Sequence, residues 1–211
     1  GLAGLPVTDQ IDEVDHLAGH VVVDGEVTSG EQLPEVEPFL AASGGRGVPS
    51  LAQEVALTQA ALDKGLPVLG IGLGAQILAI AAGGRSSPSP LEFSVSEAER
   101  AAADALAGYL PQRFPLVVYG RDRPEPPEAA RILARDRESR PVVFQVGTNA
   151  LGFTGHPGTK AAIVEDLIME FDEGPADPAA NLARLRSLQR SIEDALVPIM
   201  TGVVKVLALM D

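Results

Sequence analysis

At 211 residues, 45% of them apolar but only 4% aromatic, the chain can bury one sizeable core filled by Val, Leu, Ile and Ala. A formal net charge of −13, with 16 basic residues that form no evident patch, argues against nucleic acid and anionic membranes as partners. No cysteine is present, which rules out disulfides, thiolate metal sites and any sulfur nucleophile, and no apolar run reaches the ~20 residues of a membrane span.

Taken along the chain, the first strand-like run is Leu5-Pro6-Val7-Thr8, behind a start with no secretory pattern, so a cytoplasmic location is expected. Leu17 to Val23 predicts a strand, residues 34–43 a short helix begun by Pro34, and residues 44–49 a flexible loop. Ser50 is the expected N-cap of a helix from Leu51 to Lys64, with Glu54 as the capping-box acid. Val68–Ile71 reads as a buried parallel strand and Ala75–Ala82 as a buried helix ended by Gly83-Gly84. This βαβα rhythm implies a doubly wound, mainly parallel sheet flanked by helices. Residues 85–90, rich in Ser and Pro, read as loop, and Ser96–Leu110 as helix. The expected strands Leu116–Tyr119, Arg131–Ala134, Val142–Val146 and Leu151–Thr154 lie close enough in sequence to be partly antiparallel. From Pro178 onward, Leu182, Leu185, Leu188, Ile192, Leu196, Ile199, Val203 and Leu207 recur at helical spacing, and Pro198 and Gly202 are expected to kink that helix or split it in two. The expected division is therefore a domain over residues 1–174 and an amphipathic helical arm over residues 175–211.

Between the strand at Val68 and the helix at Ala75 lies Gly70-Ile71-Gly72-Leu73-Gly74-Ala75-Gln76, the outline of a nucleophile elbow whose lifted position, Gly72, has no side chain. Continued by Gly83-Gly84, this block resembles the class I glutamine amidotransferases, whose pattern G-x-C-x-G-x-Q carries a catalytic cysteine where Gly72 stands. Residues 150–158 resemble the segment with that family's His-Pro-Glu, placing His156 on the catalytic histidine and Gly158 on the glutamate. Val21 to Glu26 resembles the family's strand and Gly-Gly turn, which helps to hold the oxyanion, with Glu26 at the second glycine. The likeness covers roughly residues 5–170 and implies a flavodoxin-like α/β fold lacking the family's usual first strand and helix.

What the resemblance implies for the site is a degenerate triad. Without cysteine the chain forms no glutamyl thioester, and without a glutamate at Gly158 the tautomer of His156 is unspecified. His156 and Glu26 are then the candidate acid–base pair, and Gly25, Gly72, Leu73, Gln76 and Tyr119 the candidate ligand-binding positions. Each has a plainer reading: His156 as a structural hydrogen-bonding residue, Glu26 as a solvated turn residue, Gln76 and the Leu73 N–H as ordinary helix polarity, Tyr119 as core. His16 and His20 have a spacing that suits zinc on a helix but bracket the start of a strand, so no metal is assigned, and no cofactor is expected. The leading expectation is a pocket for a glutamine- or glutamyl-type ligand, redirected to non-covalent transfer of a nitrogen group to an acceptor in specialised biosynthesis. The alternative is a non-catalytic binding or regulatory protein on the same fold. Expected partners are the small ligand, an acceptor or synthetase partner, and a second copy docked through the apolar C-terminal helices.

Overall fold

A strand, a tight Gly-rich turn and an apolar helix carry the elbow segment. A computed structural model describes residues 21–22, 51–170 and 174–209. The strand at Leu5, most of Leu17–Val23, the helix over 34–43, the cap at Ser50, and the candidates His16, His20, Gly25 and Glu26 lie outside the described residues.

Strand β1 (Val21–Val22) precedes helix α1 (Leu51–Asp63), strand β2 (Val68–Ile71) and helix α2 (Leu73–Ala81). Seven of the nine residues of α2 are buried, in keeping with a sequence that is apolar apart from Gln76. Glycines allow that burial: a Cβ at Gly70 would stand 2.4 Å from the carbonyl oxygen of Gly74, so the helix lies directly on its strand. At the far end Gly83, with φ +86°, donates its N–H to Ile80 O, and Gly84 donates to Ala79 O, closing a Schellman turn.

Strand β3 (Arg85–Ser87) follows where a loop is expected, and pairs antiparallel with β6 (Arg123–Glu125) as a separate two-stranded ribbon. Between them run β4 (Glu92–Arg100), a 3₁₀ turn at Ala105–Gly108 and β5 (Arg113–Gly120). The helix expected over Ser96–Leu110 is thus replaced by a strand and a turn. Residues 96–110 are rich in good helix formers, but β4 forms eight registered pairs with β5 and buries Phe93, Val95 and Ala98, and this long-range pairing overrides local propensity. Strands β7 (Arg131–Arg135), β8 (Pro141–Val146) and β9 (Ala150–Phe153) fall where the alternation predicts them. Helix α3 (Ala161–Glu170), which the sequence reading omits, precedes helix α4 (Pro178–Val206). Pro198 lies inside α4 without splitting it.

The seven-stranded sheet has the order β1-β2-β9-β8-β7-β4-β5. Among the described residues it is mixed rather than mainly parallel: β1, β2 and β9 run parallel, and the four remaining pairings are antiparallel. The links over 136–140 and 147–149 are too short for a crossover helix, so the chain must turn back on itself. Alternation divides the two faces. Val68, Ala150 and Phe144 pack beneath α1 and α2, while Leu151, Phe153 and Leu133 pack beneath Ile199 and Val203 of α4 and Leu207 at its C-cap. Helices on both faces make this a doubly wound α/β fold. No helix among the described residues is long and apolar enough to cross a membrane.

Candidate functional site

Parallel pairing of β2 with β9, with Ile71 opposite Phe153, brings the carboxyl ends of two strands side by side. Gly72 leaves the first and His156 follows the second. In an α/β sheet this edge is where ligands bind. Gly72 has φ +59° and ψ −113°, a conformation nearly restricted to glycine. Its N–H donates to Phe153 O at 2.8 Å and its carbonyl accepts from the Ala75 N–H at 3.2 Å. The turn is therefore an intact elbow opening a nine-residue helix, with Leu73 46% exposed at its mouth.

His156 is held from both sides. Its N–H donates to Val117 O at 2.8 Å, and its carbonyl accepts from the Thr159 hydroxyl at 2.7 Å. The imidazole lies over Gly72, so that a Cβ built there would be 2.6 Å from Nε2. The ring thus occupies the space into which a side chain at Gly72 would project. Two residues on, Gly158 has φ +77°, and a Cβ there would be 2.9 Å from Cδ2 of Leu196 on α4. An apolar side chain fills the ground beside Gly158.

The structure brings Gly72, Leu73, Gln76, Tyr119 and His156 together around one cleft of about 420 Å³. Gln76 is buried and engaged: Nε2 donates to Arg121 O and Oε1 accepts from the Ser86 hydroxyl, both at 2.8 Å. It fixes the turn that carries Tyr119 and Asp122 against the ribbon. Tyr119 packs on Phe93 with ring centroids 6.0 Å apart, and burial raises the pKa of its hydroxyl above the ordinary tyrosine value, keeping it a neutral O–H donor.

Two further residues of the cleft escape sequence reasoning. Asp122, with φ +59°, accepts the Ser89 N–H on Oδ1 at 2.9 Å, while its Oδ2 is buried without a hydrogen-bond partner among the described residues. Thr154 Oγ1 and the Tyr119 hydroxyl are likewise buried and unpartnered there. These three oxygens have essentially no accessible surface, so they lie behind the cleft's wall rather than facing its space. The signal for Asp122 in the sequence is its place in the Gly120-Arg121-Asp122 turn after a strand. Thr154 has none, being the last residue of an apolar run. Among the described residues no three of His, Asp and Glu come together as a metal site.

Chemically, the cleft offers the positive end of α2 and an imidazole at the elbow.

The family described as Glutamine amidotransferase class-I matches residues 30–146. A GMP synthase [glutamine-hydrolyzing] of Aeropyrum pernix is 34% identical over 130 residues, which is 61% of this chain and 25% of that protein. The enzyme of the same name from Thermomicrobium roseum is 35% identical over 98 residues, 46% of this chain and 18% of that protein. The chain thus spans a quarter or less of the length of these curated relatives. Among solved structures, a glutamine amidotransferase from Thermotoga maritima superposes with a TM-score of 0.63 at 20% identity, covering 90% of this chain and 78% of that one. A glutamine amido transferase from Methylobacillus flagellatus gives a TM-score of 0.56 at 21% identity, covering 84% and 74%. These two likenesses concern the fold.

Proposed function

Because the chain belongs to the class-I glutamine amidotransferase family, we propose that its elbow cleft receives a glutamine- or glutamyl-type ligand and handles it without a covalent thioester. The observation that carries this reading is Gly72 itself, an elbow with no side chain and with His156 Nε2 lying against it. Thioester chemistry needs a thiolate, a histidine to activate it and a carboxylate to orient the histidine. These 211 residues contain no cysteine, and Leu196 stands beside Gly158 where the resemblance puts the carboxylate. The loss is therefore more than one substitution deep.

The cleft retains what a glutamyl group requires. The first N–H groups of α2, which open onto the cleft beside the exposed Leu73, donate to carbonyl or carboxylate oxygens. His156 faces the same space, which favours proton transfer during passage of a nitrogen group from a glutamyl donor to an acceptor. Glu26 is its proposed acid–base partner and Gly25 part of the same cradle. If no acceptor is turned over, the cleft serves as a binding or regulatory site. A synthetase partner, a role in specialised biosynthesis and a cytoplasmic location belong to this proposal. So does a homodimer through the C-terminal helices, where Val197 and Met200 of α4 are exposed.

The test is calorimetric titration with glutamine, glutamate and γ-glutamyl hydrazide, alongside an assay for released ammonia. Binding without ammonia release supports the reading. Ammonia release from glutamine that disappears in His156→Ala overturns it.

A further inference from the structure

A groove of about 490 Å³ runs between the β4–β5 hairpin and one side of α4. Helical spacing builds its long wall. Arg184, Leu188, Ser191 and Ala195 recur at steps of three and four residues and so fall on one stripe of α4. Strand alternation builds the other wall, since Arg113 and Pro115 share a face of β5 with Val117, which packs on Leu185 and Ile192 of α4. Arg137, in the turn between β7 and β8, lines the groove as well. None of these residues lines the elbow cleft, whose share of β5 is the far end of the strand, at Val118, Tyr119 and Gly120.

Charge distinguishes the groove from the rest of the surface. Arg85, Arg123, Arg131, Arg140 and Arg186 each pair with a carboxylate. Arg113, Arg137 and Arg184 are exposed, and none of them makes a hydrogen bond or ion pair among the described residues. Glu97 and Asp194 line the same groove and are likewise unmatched there. An occupant therefore meets both signs of charge. A small polyanion would satisfy the guanidinium groups but would be repelled by the two carboxylates. A polypeptide serves both, with acidic side chains for the arginines and main-chain N–H groups for Glu97 and Asp194. Half-buried Leu188, Ala195 and Pro115 add apolar surface for a side chain of the same segment. From Arg184 to Ala195 the helix advances about 16 Å, room for about five extended residues.

We propose that this groove docks an extended acidic segment of a partner protein, its carboxylates bound by Arg113, Arg137 and Arg184 and an apolar side chain seated on Leu188. The docking site is separate from the elbow cleft and does not depend on what that cleft binds.

The experiment follows the fluorescence anisotropy of two rhodamine-labelled peptides, Glu-Leu-Glu-Asp-Leu-Glu and its counterpart with lysine in place of every acid, titrated with the full chain. A net charge of −13 favours the basic peptide over the surface at large, so preference for the acidic one requires a local site. The acidic peptide is expected to bind at least five-fold more tightly than the basic one. Arg113→Gln and Arg184→Gln are each expected to weaken it at least five-fold. Arg190→Gln, which removes an unmatched arginine of α4 outside the groove, is expected to leave it within two-fold. All three arginines are exposed, and an unchanged thermal midpoint shows that each variant is folded. Tighter binding of the basic peptide, or equal losses in the three variants, overturns the proposal. Saturable binding of inorganic pyrophosphate that Arg113→Gln and Arg184→Gln abolish, without binding of the acidic peptide, makes the groove a small-anion site and overturns the partner. Dimerisation of the unaltered chain that the same two variants abolish gives the groove to a second copy and also overturns it.

Discussion

Gly72 combines φ +59° and ψ −113° with an imidazole nitrogen 2.6 Å from the point where a Cβ would lie. An L-residue held there bears about 1–3 kcal/mol of backbone strain. The methyl of Gly72→Ala must in addition displace His156. Urea denaturation is expected to show a loss of at least that order, and the double variant with His156→Ala should recover the steric part but not the backbone part. Equal losses in the two backgrounds would contradict the contact. A second residue-scale effect depends on pH. The Ser87 hydroxyl first, then the Arg85 guanidinium, hold the Glu125 carboxyl below its ordinary value of 4.5. A carboxyl depressed in the folded state adds stability above its unfolded value, and that contribution disappears as pH falls through the lower folded value. The Glu125 side chain is 39% exposed, so solvent screens the effect and it should be small. Replacing Glu125 with Gln is expected to flatten part of the acid limb of the stability profile below about pH 4.5, as read by urea unfolding at successive pH values.

Elements decide the sign of substitutions that propensity alone would misjudge. In an exposed helix, Gly→Ala stabilises by about 1 kcal/mol. At Gly202 in α4 the added Cβ would stand 2.5 Å from Leu106 Cβ and 2.7 Å from Leu106 O. The helix rests on the 3₁₀ turn through that glycine, so the contact outweighs the propensity. Gly202→Ala is therefore expected to lower the thermal midpoint, and a rise would show that the helix can lift off the turn. The same competition explains the strand at β4. Its end, Glu97-Ala98-Glu99-Arg100, favours a helix locally, but Phe93 and Val95 alternate with Ser94 and Ser96, and eight pairs with β5 turn that alternation into two sheet faces. The ribbon strand β3 was illegible for a related reason: Arg85-Ser86-Ser87 has no apolar pattern, and its pairing with β6 is supported by Glu125 reaching both Arg85 and Ser87.

In the whole molecule, α4 is part of the core rather than an appendage on it. Leu185, Ile192, Ile199, Val203 and Leu207 are each under 5% exposed. At roughly 1.5–3 kcal/mol per buried apolar side chain, their burial contributes on the order of 10 kcal/mol, an upper estimate because an unfolded chain already buries some surface. That is comparable to the entire net stability of a typical domain. A chain cut after Asp177 is expected to lose its cooperative thermal transition, and a cooperative transition in that fragment would show that the sheet face can do without the helix.

The sequence by itself determined the elbow. Gly-spaced residues between a short apolar strand and an apolar helix can form few other things, because periodicity and glycine freedom act within a few residues of each other. It also shows that these 211 residues include no cysteine. Only the tertiary structure decided what surrounds that elbow. His156 against Gly72, Leu196 beside Gly158, and the unmatched oxygens of Tyr119, Asp122 and Thr154 come from strands and helices distant in the chain. Their meeting depends on sheet order and register, which no local pattern of residues encodes.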